Sequence, residues 1–253
     1  MSAKMRELTK KEKAARERLC LSLDGLNTVE EIRDIVQELG PVVGLFKIGN
    51  ETFTRFGLDS VNIVHAYGGK VFLDLKFHDI PTTVKGAARA ASELDVFMFN
   101  IHTSGGLEMM NAAKEGILEA KKMGFKSPKV IGVTILTSID ENIMNKEIGI
   151  SGKVEKQVLR LAKLAEKAGL DGIVCSAAEL KKIKGKLPKE FIYVTPGIKG
   201  PETKAGYDQK RVYSPYNAIK DGATIVVVGR AITGEKDRQK AALDVLEDMA
   251  RAL

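Results

Sequence analysis

The sequence predicts an α/β fold: a single-domain (β/α)8 barrel, the TIM-barrel architecture, preceded by an extra N-terminal helix. Three observations carry this expectation. The chain has 253 residues, close to the roughly 250 typical of such a barrel and long for one ordinary domain. Eight short apolar runs recur along it, starting near Leu19, Gly44, Lys70, Val96, Lys129, Gly172, Phe191 and Ala223. Between them lie stretches of helical periodicity, among them Val29–Leu39 and residues 84–93, 107–122 and 154–168. Strands alternating with helices form parallel βαβ units. The competing arrangement, a doubly wound open sheet, calls for a Gly-x-Gly-x-x-Gly turn after its first strand. The first run here is followed instead by Asp24-Gly25-Leu26-Asn27.

Residues 1–18 precede the first run and read as a basic helical extension that caps the bottom of the barrel or lies on its side; residues 19–253 are expected to form the barrel itself. Seven basic and three acidic residues up to Arg18 supply +4 of the net charge of +7, so the body of the chain is near balance. Lysines and arginines spaced along such a helix make a solvated face. With no Trp and 6% aromatic residues, the chain lacks the basic stripe with exposed aromatics of a nucleic-acid binder, and no nucleic-acid partner is expected. The charged N-terminus has no apolar signal-peptide core, and no apolar run approaches the roughly 18 residues of a membrane span. Cys20 and Cys175 each sit inside an apolar run with no ligand-spaced neighbour. They are expected to be reduced, buried thiols in a cytoplasmic protein.

In such barrels the chemistry sits at the carboxyl ends of the strands. The first strand ends in Asp24, the second holds Lys47, and the third runs Asp74-Leu75-Lys76 into Phe77-His78-Asp79-Ile80-Pro81. The fourth ends at His102, the fifth at Thr137-Ser138, the seventh at Pro196-Gly197-Ile198-Lys199-Gly200 and the eighth at Gly229-Arg230. Residues two apart on a strand share a face. Leu21, Leu23, Phe46, Ile48, Leu73 and Leu75 then face the helices, while Ser22, Asp24, Lys47, Asp74 and Lys76 face inward. A network of Lys47, Asp74, Lys76 and Asp79 is expected at that rim. Stability alone explains it poorly, because each ion taken out of water costs several kcal/mol that an apolar pair would not. Charges preorganised around a reacting group explain it better.

The glycine-bearing loops after strands seven and eight, with a helix beginning near Ala231, match the usual phosphate site of these barrels. Backbone N–H groups around Gly229 and the guanidinium of Arg230 suit a phosphate dianion; tight turns alone would account for the glycines and leave Arg230 without a purpose. Cys175 has no base beside it and no Gly-x-Ser-x-Gly elbow occurs, so nucleophilic catalysis is not expected. His65, His78 and His102 lack ligand spacing, which argues against a metal, and no cofactor motif is visible.

The run Asp74-Leu75-Lys76-Phe77-His78-Asp79-Ile80-Pro81-Thr82-Thr83 resembles the signature of the orotidine 5′-phosphate decarboxylase family. The resemblance continues in order through Leu23-Asp24, Lys47-Ile48-Gly49, Ile101-His102-Thr103-Ser104-Gly105-Gly106, Leu136-Thr137-Ser138, Thr195-Pro196-Gly197-Ile198, Asp208-Gln209 and Val228-Gly229-Arg230. It implies cofactor-independent decarboxylation of orotidine 5′-phosphate to uridine 5′-phosphate, the last step of de novo pyrimidine nucleotide synthesis. It also implies roles. Lys76 would stabilise charge at carbon 6 and deliver the proton that replaces carbon dioxide, and Asp74 would lie against the departing carboxylate and keep Lys76 placed. Lys47 would bridge Asp74 and the ribose hydroxyls, with Asp24 also on the ribose. Thr137 would contact the pyrimidine, and Gln209, Gly229 and Arg230 would hold the phosphate. Asp79 and Thr83 would enter the site of a neighbouring subunit, making the protein a homodimer. Residues 139–151 and 199–211 would be the lids.

Two positions depart from the family's pattern. Lys199 stands where much of the family has Arg, keeping the charge of a phosphate-loop ligand and losing the planar fork. Tyr207 is an additional residue before Asp208-Gln209. The competing enzyme on this barrel is a magnesium-dependent relative that acts on a sugar phosphate with a similar Asp-x-Lys-x-x-Asp run; Lys47-Ile48-Gly49 and Asp79-Ile80-Pro81 favour the pyrimidine enzyme. Outside enzymology, the alternative is a nucleic-acid or scaffold role for the basic extension.

Overall fold

The computed structural model describes residues 6–200 and 213–253. Eight parallel strands close into a barrel in sequence order: β1 (Leu19–Ser22), β2 (Leu45–Gly49), β3 (Lys70–Phe77), β4 (Met98–His102), β5 (Lys129–Val133), β6 (Gly172–Val174), β7 (Ile192–Ile198) and β8 (Ile225–Val228). Each strand pairs with the next, and β8 returns to β1 through Leu19 opposite Val226. The helices are α1 (Lys10–Arg16), α2 (Val29–Leu39), α3 (Asn50–Phe56), α4 (Leu58–Ala66), α5 (Pro81–Glu93), α6 (Gly106–Lys122), α7 (Val154–Lys167), α8 (Ala177–Ile183), α9 (Pro215–Asp221), α10 (Arg230–Thr233) and α11 (Arg238–Ala250).

Local chemistry sets these elements. Thr28 and Glu31 form a reciprocal capping box that starts α2. The helix then buries Ile32, Ile35, Val36 and Leu39, one stripe at helical spacing. Gly57, at φ +55°, divides the second crossover into α3 and α4, a backbone angle that side chains with a Cβ rarely take. One expectation shifts: β5 ends at Val133, and Thr137-Ser138 lie in a turn beyond it. The Thr134 hydroxyl donates to the Val174 carbonyl at 2.9 Å, and the chain leaves the ladder there.

The core has two layers. Leu19, Leu21, Leu23, Phe46, Ile48, Leu73, Phe99 and Ile101 face outward under the helices. Inside the barrel, Cys20, Leu45, Phe72, Met98, Ile131, Val194, Ile225 and Val227 pack into a separate apolar plug. Fully burying an aliphatic or aromatic side chain contributes about 1.5–3 kcal/mol, so this plug anchors the strands and also floors whatever lies above it. Burial pushes the thiols of Cys20 and Cys175 up, which keeps both protonated and unreactive.

α1 lies at the amino ends of the strands, opposite the charged rim. The Arg16 guanidinium donates to the carbonyls of Gly40 and Pro41 at 2.8 and 3.0 Å, and Glu17 pairs with Lys70, the first residue of β3, at 2.7 Å. Arg6 pairs with the buried Glu12 at 2.6 Å and reaches Glu247 of α11. Several of the extension's cations are therefore engaged by the chain's own acids and carbonyls. No helix among the described residues is long and apolar enough to cross a membrane.

Candidate active site

Above the plug, each of the first four strands presents its next inward residue: Ser22, Lys47, Asp74 and Asn100, all buried. Asp24 follows Ser22 at the mouth. These groups and Lys76 form a chain of alternating charge. Lys47 Nζ lies 2.7 Å from Asp24 Oδ2 and 3.1 Å from Asp74 Oδ2, and Lys76 Nζ lies 2.7 Å from Asp74 Oδ1. The Ser22 hydroxyl donates to Asp24 Oδ2 at 2.5 Å. Burial disfavours the Lys47 ammonium, but Asp74 and Asp24 outweigh it and its pKa is raised. Burial likewise disfavours the Asp24 carboxylate, which the Lys47 ammonium holds below its ordinary value. Both groups therefore stay charged at neutral pH. Gly49 makes room for the pair, since a Cβ there would come within 2.7 Å of Lys47 Nζ and closer still to Asp24 Oδ1.

Between β3 and β4 the register slips. Leu73 pairs with Phe99 and Phe77 with Ile101, so three residues of β3 oppose the single Asn100. Lys76 occupies the left-handed region at φ +52°, which costs a non-glycine residue roughly 1–2 kcal/mol. Its N–H donates to Asn100 Oδ1 at 2.8 Å, and Asn100 Nδ2 donates to Asp74 Oδ1 at 2.6 Å. Three donors thus hold Asp74. Asn100 was identifiable from sequence as the inward residue between Met98 and His102, but attention to strand ends alone passes over it.

The structure thus brings together Asp24, Lys47, Asp74 and Lys76 as expected, and within the one chain Asp79 stands apart from them. That residue is exposed and its Oδ1 accepts the N–H of Ile80 at 2.7 Å. It lies beyond the end of β3 at the entrance to α5, where strand alternation no longer directs it inward, and it does not join the network of its own chain. Thr83 is exposed on the first turn of α5, and Thr137 is half-buried in the turn after β5. His78 and His102 lie in tilted ring contact, centroids 5.3 Å apart and planes at 37°. Burial, then the nearby His78 and Lys76, hold the His102 imidazole below its ordinary range.

On the phosphate side, Gly229 caps α10 and Arg230 opens it, exposed. The Lys199 N–H donates to the Tyr213 carbonyl at 3.2 Å, so the two ends of the loop after β7 are tied together. Gln209, with Asp208 and Tyr207, lies outside the described residues, as does most of the second expected lid. In the first, residues Ile143–Glu147 form one wide helical turn. Asn145 clasps it by bonding both the N–H and the carbonyl of Gly152, at 2.7 and 2.9 Å.

A closed parallel barrel with paired ammoniums and carboxylates fixed over an apolar floor defines a (β/α)8-barrel enzyme that works by preorganised charge. Residues 17–245 match the Orotidine 5'-phosphate decarboxylase / HUMPS family. The chain is 41% identical over 246 residues to the orotidine 5'-phosphate decarboxylase of Syntrophus aciditrophicus, covering 97% of this chain and 98% of that one. It is 46% identical over 209 residues to that of Moorella thermoacetica, with 82% of each chain covered. The crystal structure of the orotidine 5'-phosphate decarboxylase from Lactobacillus acidophilus superposes with a TM-score of 0.79 at 35% identity, over 91% of this chain and 98% of that one. The chain belongs to the orotidine 5'-phosphate decarboxylase family.

Proposed function

We propose that Lys76 is the proton donor in the decarboxylation of orotidine 5′-phosphate to uridine 5′-phosphate, with Asp74 as its partner and the substrate's carboxylate departing beside them. The reaction itself is the activity of the family, and relatives over 40% identical along most of the chain carry it in their names. The chain is accordingly a carboxy-lyase of pyrimidine nucleotide synthesis. The observation that carries the assignment of roles is the Lys76–Asp74 contact of 2.7 Å, above an apolar floor and below the open mouth of the barrel.

The chemistry asks for such a group. The bond between carbon 6 and the carboxylate breaks, carbon dioxide leaves, and the electron pair stays on the ring carbon. No ring position delocalises it well, so it must be stabilised by charge. Two unit charges 4 Å apart attract by about 1 kcal/mol in water and about 4 kcal/mol at the effective dielectric of a protein site. The Lys76 ammonium supplies that field, then gives its proton to carbon 6 and regains one from water. Asp74, held by three donors, keeps the ammonium in place at no reorganisation cost during the reaction.

The other roles follow the same reading. Asp24 and Lys47 take the ribose hydroxyls, Thr137 the pyrimidine, and Lys199, Gln209, Gly229 and Arg230 the phosphate, whose binding energy drives closure over the site. The exposed Asp79 and Thr83 complete the site of a second subunit in a homodimer. Two buried, reduced thiols suit the cytoplasm.

The test is ultraviolet absorbance of orotidine 5′-phosphate mixed with EDTA-treated protein. A rapid change to the uridine 5′-phosphate spectrum is expected from the wild type and none from Lys76→Ala. Near-normal turnover by Lys76→Ala would remove Lys76 from the mechanism, and silence from folded, dimeric wild type would overturn the substrate.

A further inference from the structure

We propose that Asn100 is the positioning residue of this reaction: one buried amide sets the Lys76 backbone and the Asp74 carboxylate at once, and so fixes the ammonium against the carboxylate. This rests on the reading of Asp74 and Lys76 as the reacting pair, and it adds a residue that never touches substrate. Asn100 is 1% exposed, beneath the charges rather than among the groups open to the mouth.

The need for it arises from the register slip. Three residues of β3 oppose one of β4 between Leu73 and Phe77, so β3 cannot keep a regular ladder across the bulge. The Lys76 N–H donates instead to the Asn100 side-chain carbonyl at 2.8 Å. That bond holds a lysine in a left-handed conformation at φ +52°, and the conformation lets Lys76 turn its ammonium back onto Asp74. The other end of the same amide donates to Asp74 Oδ1 at 2.6 Å, the oxygen that also receives Lys76 Nζ. The carboxylate can then neither rotate nor withdraw without breaking a buried bond.

The side chain fits this task narrowly. Ionised aspartate has the acceptor and lacks the donor; leucine has neither; glutamine carries the same amide one methylene further from the backbone. A buried donor or acceptor left unpaired is costly, so the amide is held in one orientation by its two partners.

The decisive variant is Asn100→Asp, which is isosteric. It keeps the acceptor for the Lys76 N–H and faces Asp74 Oδ1 with an oxygen. Once the introduced carboxyl is ionised, which burial and the neighbouring Asp74 shift to higher pH, kcat should fall by about 10²-fold, as for a reacting group displaced by about 1 Å. Affinity for uridine 5′-phosphate should stay within about threefold of wild type, because binding and chemistry separate in such a case. Relative to wild type at each pH, the loss should shrink as pH falls and the introduced carboxyl takes a proton that it can donate to Asp74. If Asn100→Asp does not fold, Asn100→Ser gives the same split between kcat and product affinity. Wild-type kcat in folded Asn100→Ser, or in folded Asn100→Asp at every pH, would overturn the proposal, as would equal losses in kcat and product affinity, which would mark general damage. Lys76→Ala measured alongside separates the two readings. Turnover by Lys76→Ala removes the reacting pair itself, whereas an inactive Lys76→Ala beside an Asn100→Asp fully active at every pH removes only the role of Asn100.

Discussion

Replacing Gly49 by alanine tests whether the spacing of Asp24 and Lys47 matters for turnover, with little disturbance elsewhere. Gly49 has φ −89° and ψ 179°, extended backbone that any residue adopts, so the substitution introduces no backbone strain. Its new methyl would sit within 2.7 Å of Lys47 Nζ and 3.3 Å of Asp24 Cγ. Comfortable carbon contacts lie near ~3.5–4.0 Å, so one or both side chains must retreat by about 1 Å. A displacement of that size costs on the order of 10²-fold in rate, or about 2.7 kcal/mol. The fold loses little, because the displaced atoms are the ends of side chains near the mouth. Alanine is a poorer cap than glycine for α3, by about 1 kcal/mol at most, equivalent to ~2–4 °C in a chain of this size. The assay pairs the absorbance rate with thermal unfolding. Expected is a kcat/KM about 10²-fold down with a melting temperature within ~4 °C of wild type. Activity within about threefold of wild type would refute the claim that the Asp24–Lys47 geometry limits the reaction, and a collapse in stability would show that Gly49 serves the fold instead.

Two further outcomes are expected. Mixing Lys76→Ala with Asp79→Ala under conditions of subunit exchange should restore part of the activity, since one of the mixed sites would contain both native residues; proven exchange without rescue would mean that each site is built from one chain. His102, whose imidazole is held below the ordinary value of 6.5 by burial first and then by His78 and Lys76, binds its proton less readily in the folded chain than in the unfolded one. Its contribution to stability is therefore complete above 6.5 and is lost as pH falls from there through the lower value of the folded chain, so unfolding midpoints followed from pH 7.5 down to about pH 5 should fall less steeply in His102→Gln than in wild type. Parallel curves would rule the contribution out.

The barrel and four of its charged groups were legible in the sequence: strand alternation is a local rule that places Lys47 and Asp74 directly, and Asp24 and Lys76 reach the same cluster from just past β1 and from the bulge of β3. The departures lie where the rule ends. Asp79 is three residues beyond Lys76, past the last residue of β3, and its direction is set by the turn into α5. The left-handed Lys76 and the triple register of Asn100 depend on how β3 meets β4, a tertiary relation with no signature in either strand alone. Asn100 itself was readable as an inward polar residue, but its two bonds were not, since nothing in the residue type says which partners lie opposite.

The layering of the barrel interior has a consequence for how this chain tolerates changes of length. In four consecutive strands the polar or charged residue of the site stands two places after a residue of the apolar plug: Ser22 after Cys20, Lys47 after Leu45, Asp74 after Phe72 and Asn100 after Met98. Deleting or inserting one residue between the members of such a couple would turn one of them toward the helices. The same event would place a charge in the outer core or an aliphatic group at the reacting centre. These short spans are therefore locked in length as well as in composition. Insertions and deletions can accumulate only where the chain has left the strands, as in residues 139–151, and there they alter the cover of the site without moving its charges.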